Sequence, residues 1–140
     1  MGRIIAIDYG RKRVGLAVTD ELQIIATAMT TVHSKDIFSY LKDYCKNEKV
    51  DAFVVGEPRQ MNNEVSEAAE FIEPFVKKLK KEFPVIPVER YDERFTSKMA
   101  SQAIMDAGLK KKQRQDKALV DKVSAVLILQ SWLMNTSSNY

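Results

Sequence analysis

The 140-residue sequence predicts an α/β domain built on a mixed five-stranded sheet with helices on both faces. Three observations predict it. Residues 3–8, 13–19 and 23–32 are rich in β-branched and apolar types and are separated by Tyr9-Gly10-Arg11-Lys12 and Asp20-Glu21-Leu22, the pattern of an antiparallel meander. Beyond residue 34, segments of helical periodicity alternate with short apolar runs. The chain then closes on a helix whose apolar face is broader than a single stripe. The resulting order, βββαβαβαα, adds later strands through helical crossovers, so helices must cover both faces of the sheet.

The elements follow in turn. Ser34 is placed to N-cap a helix over 35–48, in which Ile37, Phe38, Leu41, Tyr44 and Cys45 share one face. Val50 to Val55 reads as a fully buried strand that stops at Gly56-Glu57-Pro58. A helix over 63–81 keeps Val65, Ala68, Ala69, Ile72, Phe75, Val76 and Leu79 at i, i+3, i+4, i+7 spacing, with Pro74 expected to kink it or break it near Glu73. The fifth strand, 85–91, is flanked by Pro84 and contains Pro87, so it should be short or irregular. Phe95-Thr96-Ser97 leads into a helix ending at Gly108, with Thr96 a candidate cap. The last helix spans 117–134, with Leu119, Val120, Val123, Val126, Leu127, Leu129 and Leu133 on its broad face and Trp132 near its end. Residues 1–134 thus form one domain, and the polar tail 135–140 is expected to be disordered.

Composition sets outer bounds. With 45% hydrophobic residues the chain can bury a core without staples, and its one cysteine, Cys45, excludes an internal disulfide and suits a reducing, cytoplasmic setting. That thiol is expected to be buried and inert. No run approaches the ~20 apolar residues of a membrane span. The net charge of +3 is too small to prove an anionic partner, but the cations are clustered. Lys77, Lys78, Lys80 and Lys81 end a helix, where they complement its dipole. Lys110, Lys111, Lys112 and Arg114 follow Gly108 in a connection with no apolar periodicity, which suits a phosphate backbone, as do Arg11-Lys12-Arg13 next to Asp8.

Three carboxylates stand where this topology can gather them: Asp8 at the end of an apolar strand, Glu93 after the fifth strand, and Asp121 inside the closing helix. Asp8 followed by Tyr9-Gly10 could also simply cap a hairpin turn. Carboxylates without histidine are the protein ligands expected for Mg2+ or Mn2+, and two such ions about 4 Å apart both activate water and relieve charge on a leaving oxygen. Zinc does not fit, because His33 is the single histidine and no spacing joins it to Cys45. His33 reads as a polar residue ending the third strand rather than a general base.

The element order is that of the ribonuclease H-like fold. The segments Ile7-Asp8-Tyr9-Gly10-Arg11-Lys12-Arg13-Val14-Gly15-Leu16-Ala17, Val54-Val55-Gly56-Glu57-Pro58, Asp92-Glu93-Arg94-Phe95-Thr96-Ser97, and Val120-Asp121 with Ile128-Leu129-Gln130-Ser131-Trp132-Leu133 resemble the YqgF or RuvX family, described both as Holliday junction resolvases and as pre-16S rRNA nucleases. The resemblance spans residues 3–134 and implies a metal-dependent nuclease that trims the 5′ end of the small-subunit rRNA precursor. It favours Glu93 over its neighbour Asp92 as a ligand beside Asp8 and Asp121. Arg94 would neutralise phosphate or pair with Asp92. Glu57 stands where the family more usually has an apolar residue and could be a fourth ligand or a solvated residue before Pro58. Ser124, one turn beyond Asp121, occupies a position where relatives of the wider fold place a second carboxylate. Expected partners are nucleic acid, whether precursor rRNA or branched DNA, together with ribosomal particles but no membrane, for a monomer or weak homodimer. A DNA junction resolvase, which would act as a two-fold dimer, and a non-catalytic RNA-binding factor are the competing readings.

Overall fold

The computed structural model describes the backbone over residues 2–10, 12–57, 69–92 and 117–137, and the side chains of those stretches except at 57, 69–71, 92, 117–123 and 135–137. Five strands form one sheet: β1 (Arg3–Tyr9), β2 (Arg13–Thr19), β3 (Ala26–His33), β4 (Val50–Glu57) and β5 (Val88–Asp92). Their spatial order is β3-β2-β1-β4-β5, with the meander antiparallel and β4 and β5 joined in parallel to β1. The helices are α1 (Ile37–Asn47), α2 (Ala69–Glu82) and α3 (Lys117–Ser137), with a 3-10 turn at Ser34–Asp36. The mixed five-stranded sheet of the ribonuclease H-like expectation is therefore present.

Strand alternation divides the core in two. Ile5, Ile7, Val14, Leu16, Phe53 and Val55 face one way, under Ile37 and Leu41 of α1 and Ile72, Phe75, Val76 and Leu79 of α2. Ile4, Ala6, Ala17 and Val54 face the other way, under Ala125, Ile128 and Leu129 of α3. The first layer is aromatic and thick, with Phe75 stacked on Tyr9 at 4.2 Å between ring centroids and Phe53 edge-on to Phe83 at 5.3 Å. The second is built on smaller side chains, with Ala6 and Ala17 of the sheet packed with Ala125 of α3.

Both meander turns are fixed by local chemistry. The Gly10 N–H donates to the Arg13 carbonyl at 2.9 Å, and a Cβ on residue 10 would lie 2.8 Å from that oxygen, so the hairpin needs glycine there. In the second turn the Asp20 carboxylate accepts from the N–H groups of Leu22, Ile24 and Ile25, at 3.2, 2.8 and 2.8 Å. Gln23 takes φ 60°, and its amide donates to Gly2 O and Asp51 Oδ2. This wrapped turn delays the third strand from the expected residue 23 to Ala26.

Three other boundaries differ from the sequence expectation, and of the kink or break expected at Pro74 the break does not occur. His33, not Ser34, caps the segment after β3, its Nδ1 accepting from the Lys35 N–H at 3.1 Å. Helix α2 runs through Pro74 without a break. A mid-helix proline costs ~3 kcal/mol, and four buried side chains at roughly 1.5–3 kcal/mol each offset it, while Pro74 itself is exposed. The fifth strand begins only at Val88, one residue past Pro87. Helix α3 continues to Ser137, three residues into the expected tail, since 135–137 contain neither glycine nor proline to stop it. Cys45 is half-buried rather than buried, and desolvation raises its thiol pKa, which keeps it protonated and unreactive. The expected helix 95–108 lies outside the described residues, as does the start of the 63–81 helix.

Candidate active site

Asp8 is the penultimate residue of the central strand, half-buried. Its parity is that of Ile4 and Ala6, so it belongs to the α3 side of the sheet. Pairing then defines its neighbours. Gly15 lies directly opposite on β2, and Thr31 lies opposite Gly15 on β3. On the other side β1 and β4 pair through Ile7 and Val55, which brings Gly56 next to Asp8, and Gly56 pairs with Tyr91 of β5. One row across the sheet therefore reads Thr31, Gly15, Asp8, Gly56, Tyr91. The carboxylate stands between two buried glycines, and neither contributes a side chain to crowd the space above it.

This row lies at the C-terminal ends of the parallel strands β1, β4 and β5, where open α/β sheets place ligand sites. Glu57 pairs with Asp92 at the same end. Tyr91 hydrogen-bonds through its hydroxyl to Ser131 Oγ of α3, tying the helix to the edge strand. On the opposite face Arg90 pairs with Glu73 of α2. Arg13 opens β2 on the far side of the Gly10 hairpin and is exposed, as is Lys12. Tyr9, next in the chain, packs on Phe75, and burial raises its phenol pKa.

Of the residues singled out in the sequence, Asp8 and Arg13 are described with their side chains. Asp121 is described as backbone within α3, and Glu57 and Asp92 as strand ends. Glu93, Arg94, Arg11, Lys110, Lys111, Lys112 and Arg114 lie outside the described residues. Ser124 is half-buried on α3. Among the residues described with side chains no group of three His, Cys, Asp or Glu gathers as a metal site, and two of the three candidate ligands, Glu93 and Asp121, fall outside that set. His33 ends β3 as expected, and its Nδ1 lone pair is occupied by Lys35. The sequence reading missed Tyr91, Ser131 and the glycine pair. Parity along β5 could have indicated Tyr91, once its register against β4 was known.

The donor chemistry suits a hard cation, because Asp8 supplies oxygen and the single histidine is engaged elsewhere. The fold and this strand-end carboxylate define the class as ribonuclease H-like. Two solved structures of Thermus thermophilus RuvC share the fold: one in complex with a Holliday junction substrate, at TM-score 0.60 and 16% identity, covering 97% of this chain and 96% of that one, and a second at TM-score 0.57 and 15% identity, covering 96% of each. The chain belongs to the RuvX family, whose model, described as Holliday junction resolvase, matches residues 2–135. It is 59% identical over 133 residues to a protein of Parabacteroides distasonis, covering 95% of both chains, and 56% identical over 133 residues to one of Christiangramia forsetii, covering 95% of this chain and 98% of that one; both carry the name "Putative pre-16S rRNA nuclease". No described helix is long and apolar enough to cross a membrane.

Proposed function

We propose that the protein is a metal-dependent nuclease that hydrolyses phosphodiester bonds in the cytoplasm, with the 5′ region of the 16S rRNA precursor as its substrate. The observation that carries this reading is Asp8, set between Gly15 and Gly56 at the C-terminal end of the central strand and on the side covered by α3. Relatives more than half identical carry the rRNA nuclease name. The junction-bound structure is 16% identical and speaks to fold alone, so branched DNA is the weaker reading.

Asp8, Glu93 and Asp121 would hold Mg2+ or Mn2+, which when bound supplies an activated water and charge relief at the leaving oxygen. Asp92 ends β5 one position past Tyr91, out of phase with the α3 side of the sheet, and Glu93 is preferred to it on the family resemblance. Asp121 precedes the buried Ala125 by four residues, the spacing that shares a helix face. The last turns of α3 line a cleft with Ile24, Ile25 and Ala26. The chain's own contribution is to preset this geometry. The glycine pair leaves room for a phosphate, Tyr91 and Ser131 fix α3 against β5, and Arg11, Arg13, Arg94 and the 110–114 cations steer and hold the strand being cut.

The test is cleavage of a precursor 16S rRNA 5′ fragment, its DNA counterpart and a four-way DNA junction, each with magnesium and manganese, by wild type and Asp8→Asn. Metal-dependent RNA cleavage that disappears in the variant is expected. Equal activity of the two proteins would exclude the two-metal mechanism, and RNA binding without cleavage would leave an RNA-binding factor.

A further inference from the structure

The two edges of the sheet are built differently. Edge strand β5, Val-Glu-Arg-Tyr-Asp, carries three charged residues in five and follows Pro87, the devices by which natural edges avoid pairing with other chains. Edge strand β3, Ala-Thr-Ala-Met-Thr-Thr-Val-His, is eight residues long with no Asp, Glu, Lys, Arg or proline. Its outer side pairs with no strand among the described residues. The exposed apolar residues gather at its start: of five large exposed hydrophobics among the described residues, Leu22, Ile24, Ile25 and Met134 lie at or next to the turn before Ala26.

The charges that flank β3 are polarised. At its C-terminal end Arg13 pairs with His33, and Lys12 and Lys35 are adjacent and exposed. At its N-terminal end Ala26 pairs with Thr19, and Asp20 and Glu21 follow directly. An antiparallel neighbour of the same sequence brings the basic end of each copy against the acidic end of the other. A parallel neighbour would set like against like.

We propose that two copies of this chain pair antiparallel along β3 about a two-fold axis, extending the two sheets into one. With the axis beside Met29, Ala26–Ala28 runs along Thr31–His33 of the partner subunit, while Ile24 and Ile25 come under the aliphatic stem of the partner's Lys35. The register shift opposite Leu16 and Ala17 places a bulge at Met29, so the axis falls at the bulge and pairing uses the runs on either side of it. Such an interface is isologous and closed. Since β3 runs parallel to β1, the two Asp8 ends point in opposite directions, so the two sites would serve separate strands rather than one symmetric cut.

Light scattering over a concentration series tests this on the intact protein. The mass should rise from the 16.0 kDa of one chain towards twice that value. Ala28→Lys, a charge at an exposed edge position, should hold the protein monomeric with an unchanged thermal midpoint. Glu21→Lys and Lys12→Glu should each weaken the dimer at least tenfold, and an equimolar mixture of the two should restore it, because both ends then meet opposite charge. A wild type that stays monomeric at all concentrations overturns the proposal. So does a dimer that survives Ala28→Lys, or a mixture that fails to recover.

Discussion

The two faces of the sheet are made from the same strands but solve different problems. Under α1 and α2 lie Phe53, Phe75, Phe83 and large aliphatics, with Tyr9 packed on Phe75 and Arg90 paired to Glu73 at the margin. Under α3 the sheet offers Ala6, Ala17 and the glycines flanking Asp8, and its polar groups are matched individually: Thr19 Oγ1 accepts from the Ile4 N–H at 2.9 Å, and Tyr91 meets Ser131. One face is a stability layer that depends on volume. The other is a positioning layer that depends on close approach and polar partners, and it carries the candidate chemistry.

That contrast can be broken most sharply at Asp8. In the proposed mechanism Asp8→Asn removes charge from the site that would hold the divalent ions, so cleavage should fall by orders of magnitude with little change in the thermal midpoint. Single-turnover kinetics beside circular dichroism measures both. On the stability face Phe53→Ala should lower unfolding free energy by about 3–5 kcal/mol, read from urea titration, and leave the per-folded-molecule rate intact. Overpacking the α3 face with Ala6→Leu should cost about 1–3 kcal/mol and also reduce turnover, since α3 must shift. If both core variants lose turnover equally, the division of labour is wrong. Removing the hydroxyl in Tyr91→Phe should cost roughly 0.5–1.5 kcal/mol, with a larger effect on metal affinity than on stability if α3 position sets the site.

The smallest effects concern charge at the periphery. Replacing Lys111 and Lys112 together should weaken nucleic-acid binding and lower the slope of log affinity against log salt by roughly 0.7–0.9 for each phosphate no longer neutralised, with turnover at saturation preserved. Asp20 accepts three backbone N–H bonds, the Ile25 bond acting most strongly, and these lower its pKa from the usual aspartate value. A carboxyl whose folded pKa is depressed contributes stability above its unfolded pKa and loses it as pH falls through the folded one. The wild-type thermal midpoint should therefore drop below the ordinary aspartate range, and Asp20→Ala should flatten that part of the profile.

Much of the architecture was legible because its signals are local. Alternating apolar runs, Asp and Gly turns and the 3.6-residue pattern of Ile72, Phe75, Val76 and Leu79 each act within a few residues. Element ends were less legible, because Asp20 and His33 captured backbone groups that periodicity cannot see. In the site, Asp8 announced itself as a charge ending an apolar run. Its surroundings did not, because Gly15, Gly56 and Tyr91 become its neighbours only through pairing between strands up to 83 positions apart in sequence.

The alternation in β1 has a consequence for how this gene can vary. A substitution at Ile5 or Ala6 perturbs one layer and can be repaired within it. Inserting or deleting a single codon between Ile4 and Asp8 would exchange the layers instead. The carboxylate would be driven beneath Phe75 of α2, and an isoleucine would be turned towards the face that should receive phosphate. In-frame length changes in these few residues should therefore be far less tolerated than any point change.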